Sequence, residues 1–323
     1  MVFIHGGAYL SGGGDLDCYS GEALAGNGVV VVNITYRLGI FGYQGIEGVA
    51  RPNLGLMDQI AALEWVQGNI GAFGGDKGRV CLFGESAGGD SIYCLLGART
   101  EGLFNRVVLQ SAPFGMRSQE KGDMVKAMAE KAKSVEGLLE KTSEELLEVE
   151  MELLGVAMGF VSSGMPYGPQ MGYEPLPDVE EFERRVSERV QGMGVMVGYT
   201  KDDGVPFAEI VPRELLDGME AGQYATKKWF QEGADEFVKR VKGNGGVVST
   251  YRWDLGFGEG AVHTIELAFL LGLWEAWREG RMVKGGEEVV KRVGGGARRL
   301  WAAFGKGGDV GDVVVGEGFE YDG

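Results

Sequence analysis

Short β-rich apolar runs alternate along this chain with longer stretches whose apolar residues recur at helical spacing. Val2 to His5 reads as the end of a strand. Val29 to Tyr36 (VVVVNITY) has the length and β-branching of a buried strand. Leu56 to Ile70 carries its apolar residues three and four apart, as a helix does. Strand patterns return at Arg79 to Phe83, Arg106 to Gln110, Val195 to Tyr199 and Val247 to Trp253. Helical patterns fill Ser86 to Leu96, Thr264 to Arg278 and Glu287 to Phe304. Strand–helix–strand alternation predicts an α/β fold with a mostly parallel central sheet, flanking helices and right-handed crossovers.

The middle of the chain breaks the rhythm. From Lys121 to Phe160 it is rich in Glu, Lys, Leu and Met at helical spacing. We read residues 121–190 as a helical, cap-like insertion whose acidic face is solvated. The tail after Gly305 is Gly-rich and predicted to be loose. No repeat and no Pro-rich linker divides residues 1–323, so a single domain is expected.

Composition narrows the function. Asp and Glu number 47 against 31 Lys and Arg, a net charge of −16. That disfavours nucleic acid and anionic membranes as partners. The apolar run from Leu267 to Trp274 falls far short of the ~18 residues of a membrane span. Three cysteines without a CxxC or a Cys/His cluster argue against a disulfide framework and against a metal. No cofactor motif is present: Gly12-Gly13-Gly14 lacks the dinucleotide spacing, and no Walker lysine follows a Gly-rich loop. The N-terminus has no basic region and no cleavage site. The expectation is therefore a cytoplasmic protein, or a secreted one if a natural start precedes Met1. Glycine is unusually frequent, 58 of 323 residues against a typical ~7%. Histidine occurs only twice, at His5 and His263.

The scarcity of histidine sharpens the chemistry. Gly84-Glu85-Ser86-Ala87-Gly88 is a G-x-S-x-G between a strand pattern and a helix pattern. In that context the glycines permit a sharp turn that presents the Ser86 hydroxyl at the carboxyl end of the sheet. The competing reading of the motif is a Gly-rich turn with a helix-capping serine. A serine nucleophile needs a base, and His263, on the Gly-rich loop after VVSTYRW, is the better placed of the two. The base in turn needs a carboxylate. Asp202 and Asp203 follow the VMVGY strand, and either could also serve only to form a turn. The order Ser86, Asp203, His263 is that of an α/β-hydrolase. His5-Gly6-Gly7-Ala8 follows the first strand, so the N–H groups of Gly7, Ala8 and Ala87 are candidate oxyanion donors.

Together these segments resemble the type-B carboxylesterase family, which includes cholinesterases, fungal lipases of the same fold and the non-catalytic neuroligins. The resemblance runs through HGGAYLSGGGD (5–15), NITYRLGIFGY (33–43), NLGLMDQIAALEWVQGNIGAFGGD (53–76), FGESAGG (83–89), VVLQSAPFG (107–115), GYTKDDG (198–204), GAVHTIELAFLLG (260–272) and RRLWAAFGKGGD (298–309). Residues 1–115 and about 194–309 are covered. About 100 residues that precede HGG in the family are absent, so the resemblance is to a short form. It implies an α/β-hydrolase fold and a serine esterase, with a lipase as near neighbour, acting on a small-molecule ester without cofactor or metal. It places the nucleophile on Ser86, the histidine on His263 and the acid on Asp203, where Asp replaces the usual Glu. It also implies a structural ion pair between Arg37 and Asp58. Ser111 matches a family serine that either orients the acid or packs the core. Glu85 and Asp202, beside the nucleophile and the acid, are counted as supporting residues. The competing reading is a binding or adhesion protein on an inactive hydrolase fold, or an inactive truncated product. Retention of both Ser86 and His263 favours the enzyme. The resemblance leaves the oligomeric state and the natural ester open.

Overall fold

The computed structural model describes residues 1–117, 121–160 and 164–321. Residues 161–163, within the expected insertion, and 322–323, at the end of the expected loose tail, lie outside the described residues. Among the described residues, seven strands form one sheet: β1 (Val2–Ile4), β2 (Val32–Ile34), β3 (Cys81–Glu85), β4 (Arg106–Gln110), β5 (Gly194–Thr200), β6 (Val247–Trp253) and β7 (Val313–Val315). Their order is β2-β1-β3-β4-β5-β6-β7, and every neighbouring pair is parallel. Among the described residues, seven helices exceed ten residues: α1 (Leu54–Asn69), α2 (Ala87–Gly97), α3 (Lys121–Lys133), α4 (Ser143–Ala157), α5 (Val179–Arg189), α6 (Glu232–Gly243) and α7 (Glu287–Gly305).

Alternation along the strands sorts the core into two layers. Val2 and Ile4 of β1, Val107 and Leu109 of β4, and Val195 and Val197 of β5 face the layer holding α1 to α6. Phe3, Val108 and Met196, one position out of phase, face the other layer, where Leu300 and Trp301 of α7 meet them. Trp253 and Trp301 are fully buried there, and truncating either costs about 3–5 kcal/mol. Helix α2 is buried along its whole length, which explains why its sequence, AGGDSIYCLLG, shows almost no polar face. Within the 121–190 segment, α4 starts on a capping box read directly from Thr142-x-x-Glu145. Asp178 caps α5 by accepting from Glu181 N at 2.9 Å.

Three expectations change. The strand expected over 29–36 pairs with β1 only at Val32–Ile34. The helix expected over 264–278 is broken into Leu267–Leu270 and Trp274–Trp277. Leu271 is extended and Gly272 takes a φ of 70°, its N–H donating to Ser20 O at 2.7 Å. An L side chain rarely adopts that φ, so the apolar periodicity continues while the helix does not. The tail is also more ordered than expected, because Val313–Val315 pairs with Tyr251–Trp253 as β7.

The topology decides where chemistry can gather. From β3 to β7 the strands run in sequence order, whereas β1 and β2 lie on the other side of β3. The order therefore reverses at β1 and β3. In open α/β sheets, ligands bind at the carboxyl ends of the strands beside such a reversal. His5 to Ala8 leave β1 there, and Ser86 leaves β3.

Candidate active site

Ser86 sits between β3 and α2 with φ 56° and ψ −123°. A non-glycine residue in that region is strained, and the surroundings hold it there. Ser86 N donates to Gln110 O at 2.8 Å, and Ser86 O accepts from Asp90 N at 2.9 Å. The flanking glycines are required by packing: a Cβ on Gly88 would stand 1.9 Å from the Ile4 carbonyl oxygen. The β1 loop and the serine turn thus touch backbone to backbone.

The β1 loop is also left-handed, with φ 107° at Gly7, 54° at Ala8 and 62° at Tyr9. Gly7 O accepts from Leu10 N and Ser11 N, at 2.9 and 3.1 Å. Among the described residues, the Gly7 and Ala8 N–H groups donate to no backbone acceptor. Ala87 is the first residue of α2, where N–H groups have no intrahelical partner. The three amides expected as oxyanion donors are therefore all uncommitted to the backbone ladder.

The two aspartates separate cleanly. Asp203 is fully buried and meets His263 Nδ1 with Oδ1 at 2.5 Å, while its Oδ2 accepts from Thr200 N at 3.0 Å. Asp202 instead holds the histidine loop: its Oδ2 accepts from Ala261 N at 2.8 Å and its own N–H donates to Ala261 O at 2.9 Å. One carboxylate grips the imidazole and its neighbour grips the segment that delivers it. Ser111 is buried, and its hydroxyl has no hydrogen-bond partner among the described residues, Asp203 included. Asp is one methylene shorter than Glu, and both Asp203 oxygens are already taken.

His263 Nε2 faces Glu85 Oε1 at 3.1 Å, without hydrogen-bond alignment. No hydrogen bond joins it to Ser86 Oγ. Gly6 of the β1 loop packs against both residues of the turn: a Cβ there would stand 2.9 Å from Glu85 Oε2 and 3.1 Å from Ser86 Cβ. Phe207 and Phe230 flank the imidazole at 5.0 and 4.9 Å between ring centres. Burial alone would depress the imidazole's pKa, but the carboxylates of Glu85 and Asp203 offset this and hold it at about 9. Burial pushes Glu85 well above the usual carboxylate range. Burial and Asp203 push Glu266 up to about 7.

Sequence reasoning missed Glu266, although it lies three residues after His263. Its Oε1 accepts from Tyr251 OH at 3.4 Å, completing a buried set of three carboxylates around one imidazole. It also missed a second cluster. Asp90, 2% exposed on α2, accepts from Tyr9 OH at 2.6 Å and from Arg117 Nε at 2.5 Å. Tyr9 follows Ala8, so this cluster fastens the β1 loop to the helix that Ser86 begins. The available signal was a lone aspartate in an otherwise apolar helix, since buried charges are paired. The other histidine makes no hydrogen bond to Ser86. His5 stacks on Tyr36 at 4.4 Å with Nδ1 at 2.8 Å from Gly6 O, and burial lowers its pKa. Arg37 and Asp58 form a bidentate pair, at 2.8 and 2.7 Å, part exposed and away from the serine turn.

Comparison with known proteins follows the same lines. Residues 1–245 match the carboxylesterase family. The chain is 33% identical to the probable N-octanoylanthranilate hydrolase AqdA2 of Rhodococcus erythropolis, over 94% of this chain and 71% of that protein. It is 36% identical to the para-nitrobenzyl esterase of Bacillus subtilis (strain 168), over 67% of this chain and 47% of that one. Among solved structures, a thermophilic PNB esterase superposes with a TM-score of 0.83 at 27% identity, covering 98% of this chain and 76% of the other. The carboxylesterase Est55 of Geobacillus stearothermophilus gives 0.72 at 30% identity, covering 96% and 73%.

Proposed function

We propose that this chain, which belongs to the carboxylesterase family, hydrolyses carboxylic esters through an acyl-enzyme on Ser86. Ester hydrolysis is the chemistry of the family. The assignment of steps to residues is our reading of the geometry.

The Ser86 hydroxyl attacks the ester carbonyl carbon. His263 Nε2 leaves Glu85 and takes the hydroxyl proton, while Asp203 holds Nδ1–H and stabilises the imidazolium. The carbonyl oxygen becomes an oxyanion and receives N–H donors from Gly7, Ala8 and Ala87. His263 returns the proton to the departing alcohol, leaving an ester on Ser86. A water, deprotonated by His263, then attacks the acyl carbon. The carboxylic acid departs and Ser86 recovers its proton. The observation that carries this reading is the 2.5 Å contact between buried Asp203 and His263 beside a strained serine turn.

A fluorophosphonate probe tests it. Stoichiometric labelling at Ser86, located by mass spectrometry and absent in Ser86→Ala, is expected. A series of p-nitrophenyl esters of increasing acyl length then separates a short-chain esterase from a lipase. A protein that melts cooperatively yet takes no label at Ser86 is not this enzyme.

A further inference from the structure

A cavity of about 1630 Å³ opens between the 45–52 loop, the 165–173 segment, α3 and α6, and none of Ser86, His263, Asp203, Gly7 or Ala8 lines it. Its charge is the reverse of the chain's. Seven Lys and Arg side chains line it against five Asp and Glu, whereas the whole chain has 31 against 47. Much of this wall is self-neutralised: Lys133 pairs with Glu47 at 2.8 Å, Lys228 with Glu232 at 2.9 Å, Arg240 with Glu183 and Arg51 with Glu174 at 3.9 Å, while the charges of Lys126 and Glu236 offset one another. The floor is not. There Asp90, Arg117 and Lys121 come together, two cations to one carboxylate. Arg117 is committed to Asp90 at 2.5 Å. Among the described residues, Lys121 Nζ donates only to the carbonyl oxygen of Tyr167, at 3.1 Å, and pairs with no carboxylate. Beside this floor the wall turns apolar, through Val125, Met165 and Phe237.

One uncompensated cation next to apolar wall suits an anion of single charge with a hydrocarbon body. A dianion would overshoot the charge, and a neutral lipid would leave the ammonium desolvated without a counter-ion. Pockets that combine a few polar anchors with an apolar wall are those that hold small organic ligands. We propose that this cavity is a second binding site, separate from the ester site, for a free monocarboxylate with an aliphatic tail. The carboxylate lies between Lys121 and Arg117, and the tail runs along Val125, Met165 and Phe237. Burial, which depresses the Lys121 pKa to about 8, is the cost that a bound carboxylate relieves.

The test is calorimetric titration of the full chain with sodium decanoate, in two forms that do not depend on turnover: Ser86→Ala, and protein whose Ser86 has been capped by a fluorophosphonate. One-to-one binding in the Ser86→Ala form is expected, and in the capped form wherever the cap attaches. Decan-1-ol, which lacks the charge, should bind about tenfold more weakly. Lys121→Met should weaken decanoate by about tenfold and leave decanol unchanged. Lys121→Arg should retain decanoate, and Lys77→Met, on a distant surface, should match the parent. Unaltered decanoate affinity in a folded Lys121→Met protein overturns the proposal. So does decanoate binding that capping at Ser86 abolishes, which would place the ligand in the ester site. If the probe fails to label Ser86, the esterase reading falls while the Ser86→Ala titration still decides this one.

Discussion

Glu85 and Asp90 stand on either side of Ser86 in the chain, both buried, and they keep different company. Asp90 faces Arg117, a cation that never gives up its proton, and the hydroxyl of Tyr9. The charged neighbours of Glu85 are His263 and two further carboxylates, Asp203 and Glu266. The first arrangement can only hold. The second can exchange protons, because burial raises the Glu85 and Glu266 carboxyls, the latter to about 7, while the surrounding carboxylates hold the imidazole at about 9. Two buried carboxylates five residues apart are thereby an anchor and a titrating group, and the difference comes from their neighbours, not from their burial.

The largest effects should come from the titrating side. Removing the nucleophile or base, by Ser86→Ala or His263→Ala, is expected to lower kcat by roughly 10⁶-fold on a p-nitrophenyl ester. Asp203→Asn should cost about 10⁴-fold with the fold intact. Asp202→Asn touches no reacting group; it should show mainly as about 1 kcal/mol of stability from the loosened Ala261 contact. Equal losses of kcat in the two asparagine variants would erase the distinction between the carboxylate that grips the ring and the one that grips its loop.

On the anchoring side the expected currency is stability. Asp90→Asn leaves Arg117 as an uncompensated, largely buried cation, and breaking such a pair costs about 3–5 kcal/mol, read as a fall in the urea midpoint. Glu85→Gln removes no permanent ion pair, and we expect its midpoint to stay within about 1 kcal/mol of the parent. If the two variants lose the same stability, Glu85 is an anchor too and the comparison fails. For contrast, Arg184 on α5 is exposed and bonds Glu181 and Glu188; Arg184→Ala should leave the urea midpoint close to the parent's.

Protonation gives the comparison a direction as well as a size. A general base must be neutral to accept a proton. With the His263 pKa at about 9, kcat/KM should rise with pH through that region, well above the ordinary histidine value. Glu85→Gln withdraws one of the carboxylates that favour the imidazolium, so the rising limb should move to lower pH. Stability runs the opposite way. Because folding raises this pKa, the stabilisation from the imidazolium is fully present below the unfolded value of about 6.5 and is lost as pH climbs through about 9. A pH–rate profile that does not shift in Glu85→Gln would show that Glu85 does not act on His263.

How much of this could be read in advance follows from what each feature depends on. The sheet, the serine turn and the pairing of an aspartate with His263 were legible, because strand alternation, a glycine-flanked serine and a scarce histidine are local signals. Choosing Asp203 over Asp202 on residues alone was not, since adjacent carboxylates at a strand end differ only in the direction they point. The break at Leu271 was hidden because apolar spacing continues across it while one glycine turns the chain. Pairing of Val313–Val315 with β6 depends on a partner about 60 residues away, beyond the reach of periodicity. The Asp90 cluster joins residues from three separate segments, Tyr9, Asp90 and Arg117, and only the lone charge in α2 announced it.

The smallest expected effect tests the boundary of the titrating cluster. Ser111 lies at the end of β4 with φ 45°, and its buried hydroxyl finds neither donor nor acceptor among the described residues. A buried hydroxyl without a partner is a cost of about 1–3 kcal/mol. Alanine tolerates that backbone region no better than serine, so the change leaves strain as it was and removes only the stranded group. Ser111→Ala is therefore expected to keep kcat within about twofold of the parent and to leave stability unchanged or raised by up to about 1 kcal/mol. A serine that oriented Asp203 would give the opposite result: a loss of turnover together with a shifted pH profile, because the acid would no longer hold the imidazole. The two outcomes separate a cluster closed at Asp203, Glu85 and Glu266 from one that extends a further residue into the sheet.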